Sequence, residues 1–318
     1  IVATGLLAIG GILVMDQQMN IGQFVAAEII ILLIMSSVEK LILSFEIVYD
    51  VLTALEKIGQ VTDLELENDS GSVMPGSAEE GVSIQVENAS YAYPGAREKV
   101  LKDLSFSVSA GEKIMITGPS GSGKSTLLPV LAGLYDVQEG HVSYNGLPRG
   151  NLSSESLYSA VGDLFSHEQI FQGSVIENIS INRPQATNEQ VQWAVKHMGL
   201  EDFIRSCPQG YNTILAPEGK GLPRHIVTKL LLARSIAARP RLLLLETPFE
   251  LLDLKDRESI IRFLTSPENP WTLLAISTDT LLAQHCHRIL ILEQGSVSQQ
   301  GTYEELSHIL NPITPGHA

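Results

Sequence analysis

The residues best suited to chemistry form a glycine-rich loop before the middle of the chain. In order they are Gly118, Pro119, Ser120, Gly121, Ser122, Gly123, Lys124, Ser125 and Thr126. Glycines let backbone N–H groups converge on phosphate oxygens, and a helix that starts at the loop adds a favourable dipole. At this spacing Lys124 reaches the β- and γ-phosphates, and the Ser125 hydroxyl is a ligand for Mg²⁺. The loop therefore predicts a site for ATP and Mg²⁺.

The segments on either side of the loop must position it. The apolar run KIMIT at 113–117 has the pattern of a buried strand, and STLLPVLAGL at 125–134 has that of a helix. An ordinary glycine-rich turn is the alternative, but such a turn would not need lysine and serine at these places between a strand and a helix. Five further segments have the apolar pattern of strands, at 82–86, 104–108, 241–245, 272–276 and 288–292.

Helical segments lie between several of these strands. Thr187 and Gln190 have the spacing of a capping box that opens a helix through Met198. Strands that alternate with helices are typical of a parallel sheet, whereas the early alternating strands indicate an antiparallel one. We therefore predict that residues 82–318 form an α/β domain of the P-loop NTPase class with an antiparallel β subdomain.

The first 62 residues have a different character. Residues 1–15 are uncharged and almost wholly apolar, and a second apolar run follows from Ile21 to about Val38, interrupted by Glu28. Because the sequence begins at Ile1, we expect it to start within a longer protein, which would explain why the first run is shorter than the about 20 residues of a membrane span. A signal peptide fits less well, since there is no basic leader. Two such runs around a polar turn favour a membrane hairpin; the alternative is a buried globular helix.

The second apolar run continues as an amphipathic pattern to about residue 60. Residues 21–60 therefore predict one helix of roughly 60 Å, about twice the thickness of the hydrocarbon layer, that leaves the membrane. Residues 63–81 are acidic, rich in serine and glycine, and predict a flexible linker. The chain carries a net charge of −15 without a basic stretch, which argues against a nucleic-acid partner. Cys207 and Cys286 are isolated and predict reduced thiols.

Several segments in this order resemble the type I ABC exporters. The segments on which this resemblance rests are NASYAYPGAREKVLKDLSFSVSAGEKIMITGPSGSGKSTLL at 88–128, FQGSVIENI at 171–179, PQGYNTIL at 208–215, LLLARSIAARP at 230–240 and EQGSVSQQGTYEEL at 293–306. Residues 1–62, with IGQFVAAEI at 21–29, resemble the last two transmembrane helices of that family. The resemblance implies that Tyr93 stacks on adenine; packing within the β subdomain is the alternative for this residue.

The resemblance also implies that functional positions of the family are substituted in this chain. The glutamine that senses the γ-phosphate corresponds to Ser166, the Walker B aspartate and catalytic glutamate to Glu246 and Thr247, and the switch histidine to Thr278. Of the D-loop ending, Leu252 and Asp253 match the family. The family's signature LSGGQ corresponds to Leu222, Pro223, Arg224, His225 and Ile226. His167, Glu250 and Asp279 are the nearest replacements, and Glu250 lies three residues past the catalytic position.

Each substitution has a chemical consequence. Glu246 keeps a carboxylate for Mg²⁺ but is one methylene longer than aspartate. Thr247 cannot act as a general base, and Thr278 cannot donate as an imidazole does. Pro223 removes a backbone N–H from the signature. Arg224 adds bulk there, although it also offers a charge to phosphate.

Two functions remain open at this point. One is a transport subunit that binds ATP at a degenerate, poorly hydrolysing site and pairs with a second exporter half, a heteromer being favoured over a homodimer. The other is a membrane-tethered ATP-binding regulatory or scaffolding subunit with neither transport nor ATPase activity of its own. Both place the chain in a membrane, surrounded by lipid and most naturally the bacterial inner membrane, with its ATP-binding domain in the cytoplasm. A small-molecule kinase is a weaker third hypothesis, because no separate acceptor site is evident.

Overall fold

The protein was analysed as a computed structural model, which describes residues 2–64, 71–77 and 79–310. The chain divides into two compact units, Ile1–Glu67 and Asn68–Ala318. The first unit is helical, and the second contains both helices and strands.

Two helices make up the first unit, α1 (Val2–Met15) and α2 (Ile21–Thr62). Asn20 starts α2 with a capping box: its side chain accepts from the N–H of Gln23 at 2.7 Å, and the Gln23 side chain accepts from the N–H of Asn20 at 3.1 Å. The predicted single helix over 21–60 is therefore confirmed and ends two residues later. The ring of Phe24 on α2 lies where a Cβ on Gly10 of α1 would be, so a glycine at position 10 lets the two helices pack closely.

The length and composition of α2 are those of a membrane-crossing helix. Its mean hydropathy reaches 2.1 over its most apolar part, and none of its residues is buried within the protein. The hydroxyls of Ser37 and Ser44 donate to the carbonyls of Leu33 and Lys40 one turn earlier. Hydroxyls satisfied within their own helix leave few polar groups unpaired in an apolar surrounding.

The second unit is built on three sheets in the described residues. Its strands are β1 (Ile84–Tyr91), β2 (Leu101–Val108), β3 (Lys113–Thr117), β4 (Glu139–Tyr144), β5 (Leu147–Pro148), β6 (Val161–Leu164), β7 (Gly173–Ser174), β8 (Ile214–Leu215), β9 (Leu242–Glu246), β10 (Thr272–Ile276), β11 (Arg288–Glu293) and β12 (Ser296–Gly301). The largest sheet has the order β12-β11-β3-β10-β9-β6, and its strands are parallel except for β12 at one edge. A four-stranded antiparallel sheet has the order β2-β1-β4-β5. The predicted parallel and antiparallel sheets are both present.

Nine α-helices of the second unit are described. They are α3 (Lys124–Leu131), α4 (Ser154–Ala160), α5 (Val175–Ser180), α6 (Asn188–His197), α7 (Glu201–Ser206), α8 (Arg224–Ala237), α9 (Leu254–Thr265), α10 (Thr280–His285) and α11 (Tyr303–Leu310). The apolar residues of the central strands are fully buried, for example Leu243 and Leu273, which explains their continuous apolar runs.

Of the two hydrogen bonds in the predicted capping box at the start of α6, one is formed and the other is not. Thr187 does cap the helix by accepting from the N–H of Gln190. The reciprocal bond is not formed, because the Gln190 side chain accepts from Nε of Arg239 at 2.6 Å instead. A contact with a residue distant in sequence thus replaces the local hydrogen bond between the Gln190 side chain and the N–H of Thr187.

Part of the predicted linker is bound to the second unit. The N–H of Ser72 donates to the carbonyl of Asn151 at 2.8 Å, the N–H of Met74 donates to the hydroxyl of Ser156 at 2.8 Å, and the Met74 side chain is buried. Arg241 donates to the carbonyl of Pro75 at 3.0 Å. Residues 71–77 are therefore attached to the domain rather than free, while 65–70 of that linker lie outside the described residues.

Candidate nucleotide-binding site

The glycine-rich loop joins the end of β3 to the start of α3, as its sequence predicts. Gly118 has a φ of +141°, and a Cβ there would lie 2.1 Å from the carbonyl oxygen of Leu292 on the neighbouring strand. Gly123 is the N-cap of α3 with a φ of +96°, and a Cβ there would meet the Leu101 side chain at 2.9 Å. Glycine is thus required at both ends of the loop by close packing and by backbone conformation.

The loop presents a group of free backbone donors at the amino end of α3. Four N–H groups donate to no acceptor within the described parts of the chain, those of Gly121, Gly123, Lys124 and Ser125. These donors and the positive end of the helix dipole act on the same small volume. The arrangement fits the oxygens of a phosphate chain.

Lys124 is held by the loop itself. Its ammonium donates to the carbonyls of Gly118 at 2.9 Å and Pro119 at 2.7 Å, and to the hydroxyl of Ser122 at 3.2 Å. Burial lowers the pKa of Lys124, and the negative charge of Glu246 partly offsets this effect. The lysine is therefore already placed over the loop where phosphate oxygens would bind.

Parallel pairing brings the predicted site residues to one edge of the sheet. Ile276 at the end of β10 pairs with Glu246 at the end of β9 and with Ile116 of β3. Leu164 at the end of β6 pairs with Leu245. Residues that follow these strands, such as Ser166 and Thr278, therefore lie at the edge of the sheet from which the phosphate loop also starts, since the carboxyl ends of parallel strands share an edge.

Glu246 joins two of these elements. Its Oε2 accepts from the N–H of Ser166 at 3.0 Å. Burial raises the pKa of Glu246, but the hydrogen bonds from Ser125 and Ser166 and the proximity of His167 lower it, and the net pKa lies below its ordinary value. An ionised carboxylate next to the Ser125 hydroxyl is a donor set that fits Mg²⁺.

The two threonines at the edge differ in backbone conformation. Thr247 has a φ of +45°, in the left-handed region that is unfavourable for a β-branched residue. Its N–H donates to the carbonyl of Ile276 at 2.9 Å, which holds the turn in place. Thr278 is exposed and follows Ser277, whose N–H donates to the carbonyl of Ile116 at 3.1 Å. Neither side chain offers a carboxylate or an imidazole at this edge.

Tyr93 lies at the side of the loop, within an aromatic cluster. Its hydroxyl is 3.0 Å from that of Thr126 in α3, and its ring is 40 % exposed. The ring meets Tyr91 and Tyr135 edge-on, with centroids 5.3 and 5.9 Å apart. Tyr93 thus presents an aromatic surface beside the phosphate loop, as a base-stacking residue must. Tyr135 belongs to the same cluster and was not predicted from the sequence. An aromatic residue shortly after the end of α3 was a usable signal for it.

Comparison with known proteins agrees with this geometry. A family described as ABC transporter matches residues 101–250. The chain is 27% identical over 298 residues to the alpha-hemolysin translocation ATP-binding protein HlyB of Escherichia coli O157:H7. The aligned region covers 93% of this chain and 42% of HlyB. It is 31% identical over 252 residues to ABC transporter B family member 24, mitochondrial, of Arabidopsis thaliana, with 79% of this chain and 36% of that protein covered.

A comparison with solved structures also identifies an ABC exporter as similar to this chain. The structure of a bacterial Atm1-family ABC exporter with ATP bound superposes with a TM-score of 0.75 at 26% identity, over 84% of this chain and 48% of that one. The chain carries an ABC transporter domain. The predicted fold class, an α/β ABC ATPase domain of the P-loop NTPase class with an antiparallel β subdomain, is confirmed. In place of the predicted all-α transmembrane segment, the findings support the coarser statement that a long apolar helix precedes this domain. This ABC transporter chain spans half or less of the length of these relatives.

The segment predicted to correspond to the family's signature is not part of the edge just described. Residues 222–226 lie at the start of α8, where Pro223 is the N-cap and the side chains of Arg224 and His225 are exposed. Leu222 and Ile226 pack against a different hydrophobic core from the one below the phosphate loop. Across the described residues, no hydrogen bond or ion pair joins this segment to the loop. One chain by itself does not bring the two together.

The remaining predicted residues have roles in the helices that follow the edge. Asp253 caps α9 by accepting from the N–H of Asp256 at 2.8 Å, and Leu252 is buried. Asp279 caps α10 and pairs with Nε of Arg257 at 3.3 Å, so its carboxylate is already engaged. Glu250 is exposed. Asp279 is therefore a structural residue and a poor replacement for a catalytic carboxylate.

A charge cluster at the loop after β6 was not predicted from the sequence: Arg234 is buried in it, and Glu168 and Asp163 are half-buried. Arg234 of α8 donates to the carbonyls of Asn178 at 2.7 Å and Gln169 at 3.1 Å, and it lies 3.8 Å from Glu168. Burial, with the negative charge of Asp163, raises the pKa of Glu168 to about 7. An arginine inside the apolar run LLLARSIAA was the available signal, because such a residue is buried only with partners.

Proposed function

We propose that this chain is the ATP-binding part of an ABC exporter subunit, which couples ATP to transmembrane transport through a degenerate and poorly hydrolysing site. The observation that supports it best is the phosphate loop, where four free N–H donors and Lys124 converge at the amino end of α3. Tyr93 beside α3 provides the surface for adenine.

Mg²⁺ is the cofactor that fits the donor set beside this loop. The Ser125 hydroxyl lies in the first turn of α3 and the Glu246 carboxylate at the end of β9, and oxygen ligands of this kind suit a hard divalent cation. A bound Mg²⁺ would neutralise negative charge on the β- and γ-phosphates. Ser125 and Glu246 would hold it, and Lys124 would orient the phosphates.

Weak hydrolysis follows from the residues at the edge of the sheet. Thr247 cannot take a proton from water, Thr278 cannot donate as a switch histidine does, and Ser166 is too short to replace a glutamine that reaches the γ-phosphate. The altered signature at 222–226 would serve a partner's ATP poorly, because Pro223 has no N–H. The site therefore favours binding over turnover.

The membrane arrangement is part of the same proposal. Residues 1–62 would be a partial transmembrane domain whose second helix extends into the cytosol, 63–81 the connection, and 82–318 the cytoplasmic nucleotide-binding domain. The apolar and unburied surface of α2 supports contact with lipid or with other membrane helices. Several relatives are bacterial, which favours a bacterial inner membrane.

A regulatory or scaffolding subunit is the second candidate. The observation that favours it is that Thr247, Thr278 and Ser166 follow strands that end at the same edge of the sheet, so that the substitutions that the resemblance implies would fall on one site. Such a subunit would bind ATP and hold a partner without powering transport. Transport by reconstituted complexes that contain this chain, compared with complexes that lack it, separates the two candidates.

The proposal is tested first by nucleotide binding to the full chain in detergent. ATP with Mg²⁺ should bind, and Lys124→Ala should weaken binding by about tenfold or more, because it removes charge-assisted contacts to phosphate. Lys196→Ala, which removes an exposed lysine on α6, is the matched control. Equal ATP affinity in wild type and Lys124→Ala would exclude this role of the loop.

A further inference from the structure

The apolar part of α2, residues 21–38, contains one charged side chain, and that side chain has no partner. Of the other polar side chains there, Gln23 belongs to the capping box, and the hydroxyls of Ser36 and Ser37 donate to a carbonyl of the preceding turn at 3.1 and 2.8 Å. The carboxylate of Glu28 forms no hydrogen bond or ion pair with any residue that the structure describes. A charge without a partner is costly in an apolar surrounding, so Glu28 is the group of this segment that requires a ligand.

Glu28 lies far from both polar ends of this segment. It follows the N-cap residue Asn20 by eight positions, which is about 12 Å along a helix, and the next charged residue is Glu39, about 16 Å further on. The two lengths together are close to the roughly 30 Å of a hydrocarbon layer. In the membrane placement proposed above, Glu28 is therefore near the middle of the layer, out of reach of the charged groups of lipid heads.

The side chain of Glu28 belongs to the face of α2 that packs toward α1. Within residues 21–50, the half-buried positions of α2 are Phe24, Ala27, Glu28 and Ile31, and the others are exposed. Spacings of three, four and seven residues from Phe24 place all four on one side of the helix. The Phe24 ring lies against Gly10 of α1, which shows what this side faces.

The same face borders a cavity of about 420 Å³ between the two helices. Phe24, Ala27 and Ile31 line it from α2, and Gly5 is among the residues that line it from α1. Among the described residues, every lining position is a glycine or has an apolar side chain. A Cβ added at Gly5 would meet no atom within 4 Å, so the space reaches the backbone of α1. The volume is in the range of sites that bind small molecules.

From this juxtaposition we propose that α1 and α2 form a binding site for a lipophilic organic cation, whose apolar body fills the cavity and whose charge pairs with Glu28. A metal ion fits poorly, because hard cations need several oxygen ligands and the cavity wall has none. A lipid chain would fill the cavity but leave the carboxylate unpaired. The inference rests on the proposed function in that it names the substrate class of the proposed exporter.

The charge requirement is tested with two probes of nearly equal size and shape and opposite charge, tetraphenylphosphonium and tetraphenylborate. Equilibrium dialysis of the full chain in an uncharged detergent measures both affinities. We expect wild type to bind tetraphenylphosphonium at least about tenfold more tightly than tetraphenylborate. Glu28→Gln should weaken tetraphenylphosphonium binding by about tenfold or more, because it removes one member of an ion pair in an apolar site. Glu39→Gln, at an exposed carboxylate of the same helix, is the matched control and should bind as wild type does.

The cavity is tested by filling it without changing any charge. Gly5→Leu places a side chain in the open space and should weaken tetraphenylphosphonium binding by about tenfold or more. Gly11→Leu is the matched control, because a Cβ there also meets no atom within 4 Å and position 11 does not line the cavity. It should keep the wild-type affinity.

The outcomes separate this inference from the proposed function, because ATP binding is measured in the same preparation. Wild-type affinity for tetraphenylphosphonium in Glu28→Gln overturns the inference. If that variant does not fold, Gly5→Leu decides, and wild-type affinity there overturns it. A wild-type chain that binds ATP but not tetraphenylphosphonium also overturns it, the result expected if Glu28 pairs with a lysine or arginine of another membrane helix. A chain that binds tetraphenylphosphonium but not ATP supports the site and disproves the proposed function.

Discussion

The hydroxyl oxygens of Tyr93 and Thr126 lie 3.0 Å apart and join the aromatic cluster to the helix that follows the phosphate loop. Thr126 is buried, whereas the Tyr93 ring remains partly exposed. One hydrogen bond thus fixes the ring next to the place where phosphates are expected, while its face remains free for a base.

We expect the Tyr93 ring, more than its hydroxyl, to contribute to ATP affinity. Tyr93→Ala should weaken ATP binding by about 1 kcal/mol, or roughly fivefold in Kd, because aromatic stacking is lost. Tyr93→Phe should bind nearly as well as wild type. Titration of the full chain with a fluorescent ATP analogue measures both variants. A Phe variant as weak as the Ala variant would show that the contact to Thr126, not stacking, is what matters.

Hydrolysis should be slow in the isolated protein. With Thr247 at the base position, we expect phosphate release about 10²–10⁴-fold below that of an exporter with a complete site. Thr247→Glu alone should restore little, because Thr278 and the signature stay altered and catalytic residues that act together are not additive. A steady-state phosphate assay tests this. Several turnovers per second that disappear in Lys124→Ala would contradict the prediction.

The half-buried Glu168 should make folding stability depend on pH. Its pKa in the folded protein is about 7, above the ordinary 4.5, so the folded state binds the proton more tightly. Protonation therefore favours folding: the contribution is complete below pH 4.5 and is lost as pH rises through about 7. We expect wild type to lose about 1–3 kcal/mol of unfolding free energy between pH 5 and pH 8 relative to Glu168→Gln.

Intrinsic fluorescence provides the readout for this prediction. Both tryptophans of the chain, Trp193 and Trp271, lie in the second unit, so their emission follows its unfolding. Glu189→Gln on the exposed side of α6 is the matched control and should keep the wild-type pH dependence. An identical pH dependence in wild type and Glu168→Gln would show that Glu168 is not the responsible group.

A different ABC exporter half is the partner we predict. In ABC dimers each ATP lies between the phosphate loop of one chain and the signature of the other. Two copies of this chain would place each ATP against Pro223 and Arg224, with Thr247 beside it, whereas a second type of subunit supplies at least one catalytic glutamate. Hydrolysis should then stop when the partner's glutamate is mutated. Purification from native membranes followed by an ATPase assay tests this, and ATP-dependent transport by this chain paired only with itself would contradict it.

Sequence alone determined the features that depend on local patterns. The spacing of Gly118, Gly123 and Lys124 specified the phosphate loop, because the loop needs these residue types within eight positions. The apolar runs specified the central strands, since a strand covered on both faces has no polar side. The length of α2 followed in the same way from a helical pattern that continues past the membrane-spanning part.

Only the tertiary structure decided which distant residues meet. Parallel pairing of β6 and β9 places Ser166 against Glu246, 80 positions apart, and one hydrogen bond joins them. The bond from Arg239 to Gln190 and the attachment of Met74 to the hydroxyl of Ser156 are of the same kind. Such contacts depend on how separate elements pack, and the residue types of each segment leave several partners equally suitable until the sheet forms.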